Sequence, residues 1–167
     1  PLSTLAGDSG SGVIKAKVMS LLDSHPFWCK VRGDGNCFYR AAALGLLVFG
    51  LSPQSPTGFF RALIGRLRAT QALPEVAPVS LAMDITAAFL ESLSSGRWRT
   101  GAESTTHLIS EIAGDPKLDA AIVTCMRALT ASQIRRDFQG NMEVMLATIF
   151  PWLSLEEYIT AEINQYG

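Results

Sequence analysis

Helical periodicity runs through most of this 167-residue chain, and no other feature of the sequence limits its fold as strongly. Apolar residues recur every three or four positions in several segments, the first of which carries Val13, Ile14, Val18, Leu21 and Leu22. No segment shows the strict alternation of apolar and polar residues that a half-buried strand requires. Periodicity alone therefore predicts an all-α domain.

Turn and capping signals divide the periodic segments into separate helices. We predict helices at 13–22, from 37 onward, around 59–67, at 81–93, around 105–112, from 116 onward and from 155 to about 166. His25 and Pro26 stop the first helix, because a proline disfavours the α region for the residue before it. Asp115 caps a helix that starts with a proline, and Ser154 with Glu157 forms a capping box.

Composition excludes several classes of protein. Hydrophobic residues make up 48% of the chain and charged residues 17%, which is too few charges for a disordered chain. The 14 basic and 15 acidic residues give a net charge of −1, which argues against a nucleic-acid partner bound through bulk electrostatics. The longest apolar run, 41–51, is shorter than the roughly 18 residues that span a bilayer, so no membrane partner is expected.

Cysteine usage indicates a reducing compartment. Cys29, Cys37 and Cys125 are widely spaced and form no C-x-x-C pair. A secreted disulfide framework usually has an even, denser set, and a zinc site needs about four ligands at characteristic spacing. We therefore predict free thiols, a cytoplasmic location and no metal. Each cysteine is either a buried small hydrophobe or a nucleophile, and Cys125, on an apolar helical stripe, is predicted to be core.

The run RGDGNCFYR at 32–40 places Cys37 where a glycine-containing turn meets the start of a helix. The positive end of a helix stabilises a thiolate. Gly33 and Gly35 allow unusual backbone conformations, so that amides of the turn can converge on an oxyanion. Asp34 can hold the turn by bonding to neighbouring amides. The alternative is an ordinary turn followed by a buried cysteine.

The full run DGNCFYRA resembles the catalytic-cysteine signature of the ovarian-tumour-domain (OTU) cysteine proteases, and its FYR ending is most similar to the otubain branch. The segments 122–137 and 153–165 look like successive otubain helices in the same order. The resemblance implies an α/β (α+β) papain-like fold, of which this chain would hold mostly helices, with the sheet largely missing or reduced. It implies hydrolysis of isopeptide bonds of ubiquitin, polyubiquitin chains or a ubiquitin-like modifier, and no cofactor.

The same resemblance assigns roles to residues of the turn. It implies that Cys37 is the nucleophile and that Asp34 is the loop aspartate that helps to form the oxyanion hole. Gly35 and Asn36 belong to the same oxyanion loop. A ubiquitin-binding pseudoenzyme, and a structural helical domain with an accidental motif, are the alternative functions.

The catalytic histidine is the point at which the sequence departs from the otubain pattern. In otubains this residue lies on a strand near the C-terminal end of the domain, and the chain has only His25 and His107. His25 precedes a proline and His107 lies in a predicted short helix, so we expect neither to be catalytic. We expect residues 1–12 to form a flexible lead-in, and 13–167 to form an OTU-like domain that is C-terminally incomplete.

Two further features allow two interpretations each. The sequence GRWRTG around Trp98 is either a partner-binding tip or a solvated loop, since Trp and Arg are common interface anchors. Arg135 and Arg136 either contact an acidic partner or form a charged helix end.

Overall fold

The computed structural model describes residues 7, 10, 12–22, 24, 29–71, 79–95, 98, 102–137, 144, 148, 152 and 154–164. Its helices are α1 (Gly12–Ser20), α2 (Cys37–Gly50), α3 (Phe59–Gln71), α4 (Ser80–Ser94), α5 (Ala102–Gly114), α6 (Pro116–Asp137) and α7 (Leu155–Asn164). The chain divides into two compact units, Pro1–Gly33 and Asp34–Gly167. Helix α1 belongs to the first unit, and α2 to α7 belong to the second.

The predicted helices agree with the observed ones. Each predicted segment overlaps one helix, and the described part of the chain contains no strand. The structure is therefore mostly helical, as expected for a chain with a reduced sheet. The predicted stop at His25 lies outside the described residues. None of the helices in the described ranges is both long enough and apolar enough to cross a membrane.

Helix α6 is the centre of the second unit, because α2, α3, α4, α5 and α7 all pack against it. Its predicted apolar stripe is confirmed: Leu118, Ile122 and Cys125 are buried, and Met126 and Leu129 are half-buried. The largest core cluster joins it to α2 through α5 and contains Ala43, Leu47, Leu51, Phe60, Phe89, Leu90, Leu93, Leu108, Ile112, Leu118 and Ile122.

Both predicted helix caps are present. The Oδ1 atom of Asp115 accepts hydrogen bonds from the backbone N–H of Lys117 at 2.9 Å and of Leu118 at 3.1 Å, at the start of α6. At the start of α7, the Ser154 Oγ accepts a bond from the Glu157 N–H at 3.2 Å. The Glu157 carboxylate accepts in return from the Ser154 N–H at 2.8 Å, which completes the capping box. These bonds fix where α6 and α7 begin.

A glycine allows α2 and α3 to approach closely. A Cβ atom added at Gly50 would lie 2.5 Å from Cζ of Phe60 and 2.8 Å from Cδ1 of Phe59. Phe60 is itself buried, so its ring has little room to move. The end of α2 therefore requires a residue without a side chain.

Two residues with two interpretations each, Trp98 and Arg135, make contacts within the second unit. Trp98 lies in a bend and is half-buried against the core; its ring centroid is 6.4 Å from that of Phe89 and 4.8 Å from that of His107. Packing against Phe89 removes part of the indole from water. Arg135 forms an ion pair with Glu156 at 3.3 Å and joins α6 to α7, as a charged helix end can do.

Candidate active site

Cys37 is the first residue of α2 and is exposed, as the motif predicts. The turn before it depends on Gly35, whose φ of +82° is a conformation that residues with a side chain rarely adopt. Gly33 has no positive φ, so the prediction of special backbone geometry is confirmed at Gly35 alone. The Asp34 Oδ1 accepts a hydrogen bond from the Asn36 N–H at 3.0 Å, which closes the turn. The thiol thus stands at a helix start behind a closed turn.

A buried arginine ties the turn to α6. The Arg40 guanidinium donates to both carboxylate oxygens of Asp34, at 3.0 and 2.8 Å. It also donates to both oxygens of Asp119, at 2.7 and 3.0 Å. Arg40 is 8% exposed and Asp119 is 5% exposed, so this ion pair lies inside the protein. Arg40 is shared by both carboxylates, so it connects the turn to α6 through Asp34 and Asp119. Removing one partner of a buried ion pair is strongly destabilising, so we expect the loss of any of the three side chains to loosen the turn.

The ion pair between Asp34 and Arg40 shifts the pKa values of both groups. Hydrogen bonds from Arg40 lower the pKa of Asp34 to about 2, and the bond from the Asn36 N–H adds to the effect. The bonds to Asp119 and then those to Asp34 raise the pKa of Arg40. Asp34 is therefore a carboxylate at neutral pH, which makes it an anchor of the turn and excludes it as a proton donor to the reaction.

A second buried arginine holds the residue next to the thiol. Arg127 on α6 donates to Asn36 Oδ1 from Nε at 3.0 Å and from Nη2 at 2.7 Å. Its guanidinium carbon lies 4.4 Å from the centre of the Tyr39 ring, a cation–π contact. Arg127 is 3% exposed. Both sides of Cys37, Asn36 before it and Tyr39 after it, are thus held by one side chain of α6.

The sequence predictions missed Arg40, Asp119 and Arg127, although all three contact the turn or its helix. Arg40 is within the motif, three residues after Cys37. Asp119 and Arg127 are 79 and 91 residues from their partners, Arg40 and Asn36. The only signal in the sequence is that charged residues stand among the buried positions of α6, where a charge is costly unless it is paired.

The other cysteines differ from Cys37 in their surroundings. All three are free thiols, and Cys29 is exposed while Cys125 is buried. Burial raises the pKa of Cys125 to about 11, and its Sγ donates to Thr86 Oγ1 at 3.1 Å. The prediction that Cys125 is core is confirmed, because the side chain is buried in a core cluster with Leu67 and Met83.

The contacts of His107 are with residues outside the turn. Its side chain is 71% exposed, its Nδ1 lies 3.8 Å from Glu111 Oε2, and its ring contacts Trp98. No hydrogen bond joins His107 to Cys37, both of which the structure describes. His25, the other candidate, lies outside the described residues. Within the same described ranges, no group of three or more His, Cys, Asp or Glu side chains could hold a metal.

Comparison with known proteins identifies the family. No curated protein matched the chain, and no solved structure matched it. The family model described as Peptidase C65 Otubain matches residues 1–167, the whole chain. This match includes the exposed thiol at the start of α2 and the turn that precedes it. The chain therefore belongs to the otubain family, a family of cysteine proteases.

Proposed function

We propose that this protein is a deubiquitinating thiol protease that hydrolyses isopeptide bonds of ubiquitin or a ubiquitin-like modifier. The observation that supports it best is the placement of Cys37: an exposed thiol opens α2 behind a turn anchored by Arg40 and Arg127. An anchored turn of this kind suits acyl transfer, because preorganised backbone donors stabilise charge as it develops. Family membership supports the reaction class.

In the proposed reaction, the Cys37 thiolate forms a bond to the isopeptide carbonyl carbon, and the carbonyl electrons move to oxygen. Backbone N–H groups of the loop at Gly35 and Cys37 stabilise this oxyanion, and the Asn36 N–H holds the loop closed by donating to Asp34. The C–N bond then breaks, the lysine amine leaves with a proton from a general acid, and a thioester remains. Water attacks the thioester, and the products are a carboxylate and the free thiol.

Asp34 has a supporting role in this proposal. It remains ionised, because Arg40 lowers its pKa to about 2, so its contribution is to hold the loop amides in place. We further propose that the helices belong to a papain-like fold and that the protein acts on ubiquitin or polyubiquitin chains in the cytoplasm. Three free cysteines are consistent with a reducing compartment.

One observation favours a second candidate, a ubiquitin-binding pseudoenzyme. Among the residues that the structure describes, the only histidine, His107, makes its contacts with Trp98 and Glu111 and has no hydrogen bond to Cys37. A thiolate without a histidine lacks the usual proton donor for the leaving amine. Both candidates bind ubiquitin, but only the protease hydrolyses isopeptide bonds.

Hydrolysis of an isopeptide-linked di-ubiquitin, followed on a gel, separates the two candidates. The protease proposal predicts monomeric ubiquitin from the wild type and from Cys29→Ala, and none from Cys37→Ala. His107→Ala should keep the wild-type rate of hydrolysis, because this side chain is exposed and has no hydrogen bond to Cys37. A pseudoenzyme would bind ubiquitin in a titration without cleaving it, and absence of both binding and cleavage would contradict both candidates.

A further inference from the structure

The position of Arg127 is not what core packing alone would select. The side chain is 3% exposed on α6, where neighbouring Ala128 and Cys125 are apolar and buried. A buried charge is costly unless it is hydrogen-bonded, and a well-packed apolar residue is often as stable or more so. Two hydrogen bonds to Asn36 and the cation–π contact with Tyr39 offset the cost of burying the Arg127 charge.

These bonds determine what the Asn36 side chain does. Asn36 occupies the N-cap position of α2, where an asparagine oxygen usually accepts a hydrogen bond from an N–H of the first helical turn. Asn36 makes no such side-chain capping bond. Its Oδ1 instead accepts both bonds from Arg127, at 3.0 and 2.7 Å. This oxygen is thus bonded to Arg127 and not to the helix start on which Cys37 stands.

From this geometry we infer that Arg127 is a positioning residue, which holds the Asn36 oxygen away from the start of α2 and keeps that helix end available to negative charge at Cys37. The inference rests on the proposed function for its catalytic meaning. A helix start stabilises an anion through its N–H groups and its positive end. An asparagine oxygen bonded there would compete with the thiolate and with the oxyanion.

The test is the pH dependence of Cys37 alkylation by iodoacetamide, read at the Cys37 peptide by mass spectrometry so that Cys29 does not contribute. In Arg127→Met the Asn36 oxygen is released to the helix. We expect alkylation of Cys37 at pH 7 to slow about two- to fivefold, which is the usual effect of a helix end on a nearby charge. The pH profile of alkylation should shift to higher pH. Arg136→Met, an exposed position on the same helix, is the matched control and should leave the profile unchanged.

A double variant isolates the role of Asn36. Adding Asn36→Ala to Arg127→Met removes the released oxygen, so the alkylation profile should return toward that of the wild type. An alkylation rate that stays low would show that Arg127 acts through its charge, and it would overturn the inference. Arg127→Lys keeps a charge but lacks the planar fork, so a smaller slowing in the same direction is expected where the Met variant does not fold.

Covalent labelling of the same proteins by ubiquitin that carries a C-terminal electrophile separates the proposed function from the inference about Arg127. If the wild type is alkylated as described but never labelled by the probe, the proposed function fails and the role of Arg127 in the turn stands. If the wild type is labelled while the Arg127 variants, checked for folding by circular dichroism, keep the wild-type alkylation profile, the inference alone fails. In a labelled protein, Arg127→Met should lower kcat and leave KM for ubiquitin substrates unchanged, because Arg127 acts on the reacting end of α2.

Discussion

At the scale of single residues, the turn before Cys37 is built from charges that the core would otherwise exclude. Arg40 connects Asp34 to the buried Asp119, and Arg127 connects Asn36 to α6. Each contact is a charge-assisted hydrogen bond, which is shorter and stronger than one between neutral groups. The position of the thiol therefore depends on side chains that need never touch a substrate.

Acid should weaken the anchor at Asp34. Its pKa in the folded protein, about 2, lies below the ordinary value, so its ion pair with Arg40 adds stability at neutral pH. That contribution should be lost as the pH falls from about 4 to about 2. Urea unfolding of wild type and Asp34→Asn, measured from neutral pH down into this acid range, should show a difference in unfolding free energy that is largest near neutral pH and shrinks in acid.

A surface carboxylate provides the control for this experiment. Asp84 pairs with Arg68 at 3.0 Å, but both side chains are about half exposed. Asp84→Asn should therefore change stability by less than about 1 kcal/mol at any pH. A stability difference for Asp34→Asn that stays constant down to pH 2 would contradict the assigned ion pair.

At the scale of elements, the position of each helix follows from local signals and close contacts. The cap at Asp115 and the capping box at Ser154 fix the starts of α6 and α7. The end of α2 is fixed by the approach of Gly50 to Phe60. Because α2 carries Cys37 at its other end, this contact also fixes the helix that presents the thiol.

Two glycine substitutions in α2 should have opposite effects on stability. Gly50→Ala places a methyl group 2.5 Å from the buried Phe60 ring, and such overpacking typically costs about 1–3 kcal/mol. Gly45→Ala, in the same helix, meets no atom within 4 Å and should stabilise by about 0.5–1 kcal/mol through lower backbone entropy of the unfolded chain. Chemical denaturation measures both. Equal effects of the two substitutions would contradict the close approach of α2 and α3.

The sequence was sufficient to predict most of these elements. Helix periods, Asp115 before a proline and the Ser154 capping box are local signals, and the structure agrees with them. The start of α2 at Cys37 was predictable for the same reason. The anchors Asp119 and Arg127 were not, because their partners lie 79 and 91 residues away and are brought near only by helix packing. The contact of Trp98 with Phe89 was not predictable either, because its polar neighbours in sequence give no sign of it.

At the scale of the whole molecule, the second unit is a set of helices packed around α6. This helix carries core residues as well as residues that hold the candidate site. One stretch of α6 buries Leu118, Ile122 and Cys125 in the core. On the same helix, Asp119 accepts from Arg40 of α2 and Arg127 donates to Asn36 of the turn. Membership of the otubain family supports the proposal that this arrangement holds a protease site around Cys37. Core packing and the geometry of the site therefore depend on the same helix.

The most direct test of the proposed protease is covalent capture by ubiquitin that carries an electrophile at its C-terminus. The proposal predicts an adduct with the mass of one ubiquitin, mapped by peptide mass spectrometry to Cys37. The adduct should be lost in Cys37→Ala and kept in Cys29→Ala. Ubiquitin that binds without forming an adduct, or an adduct that maps to Cys29, would contradict the proposal that Cys37 is the nucleophile of a deubiquitinase.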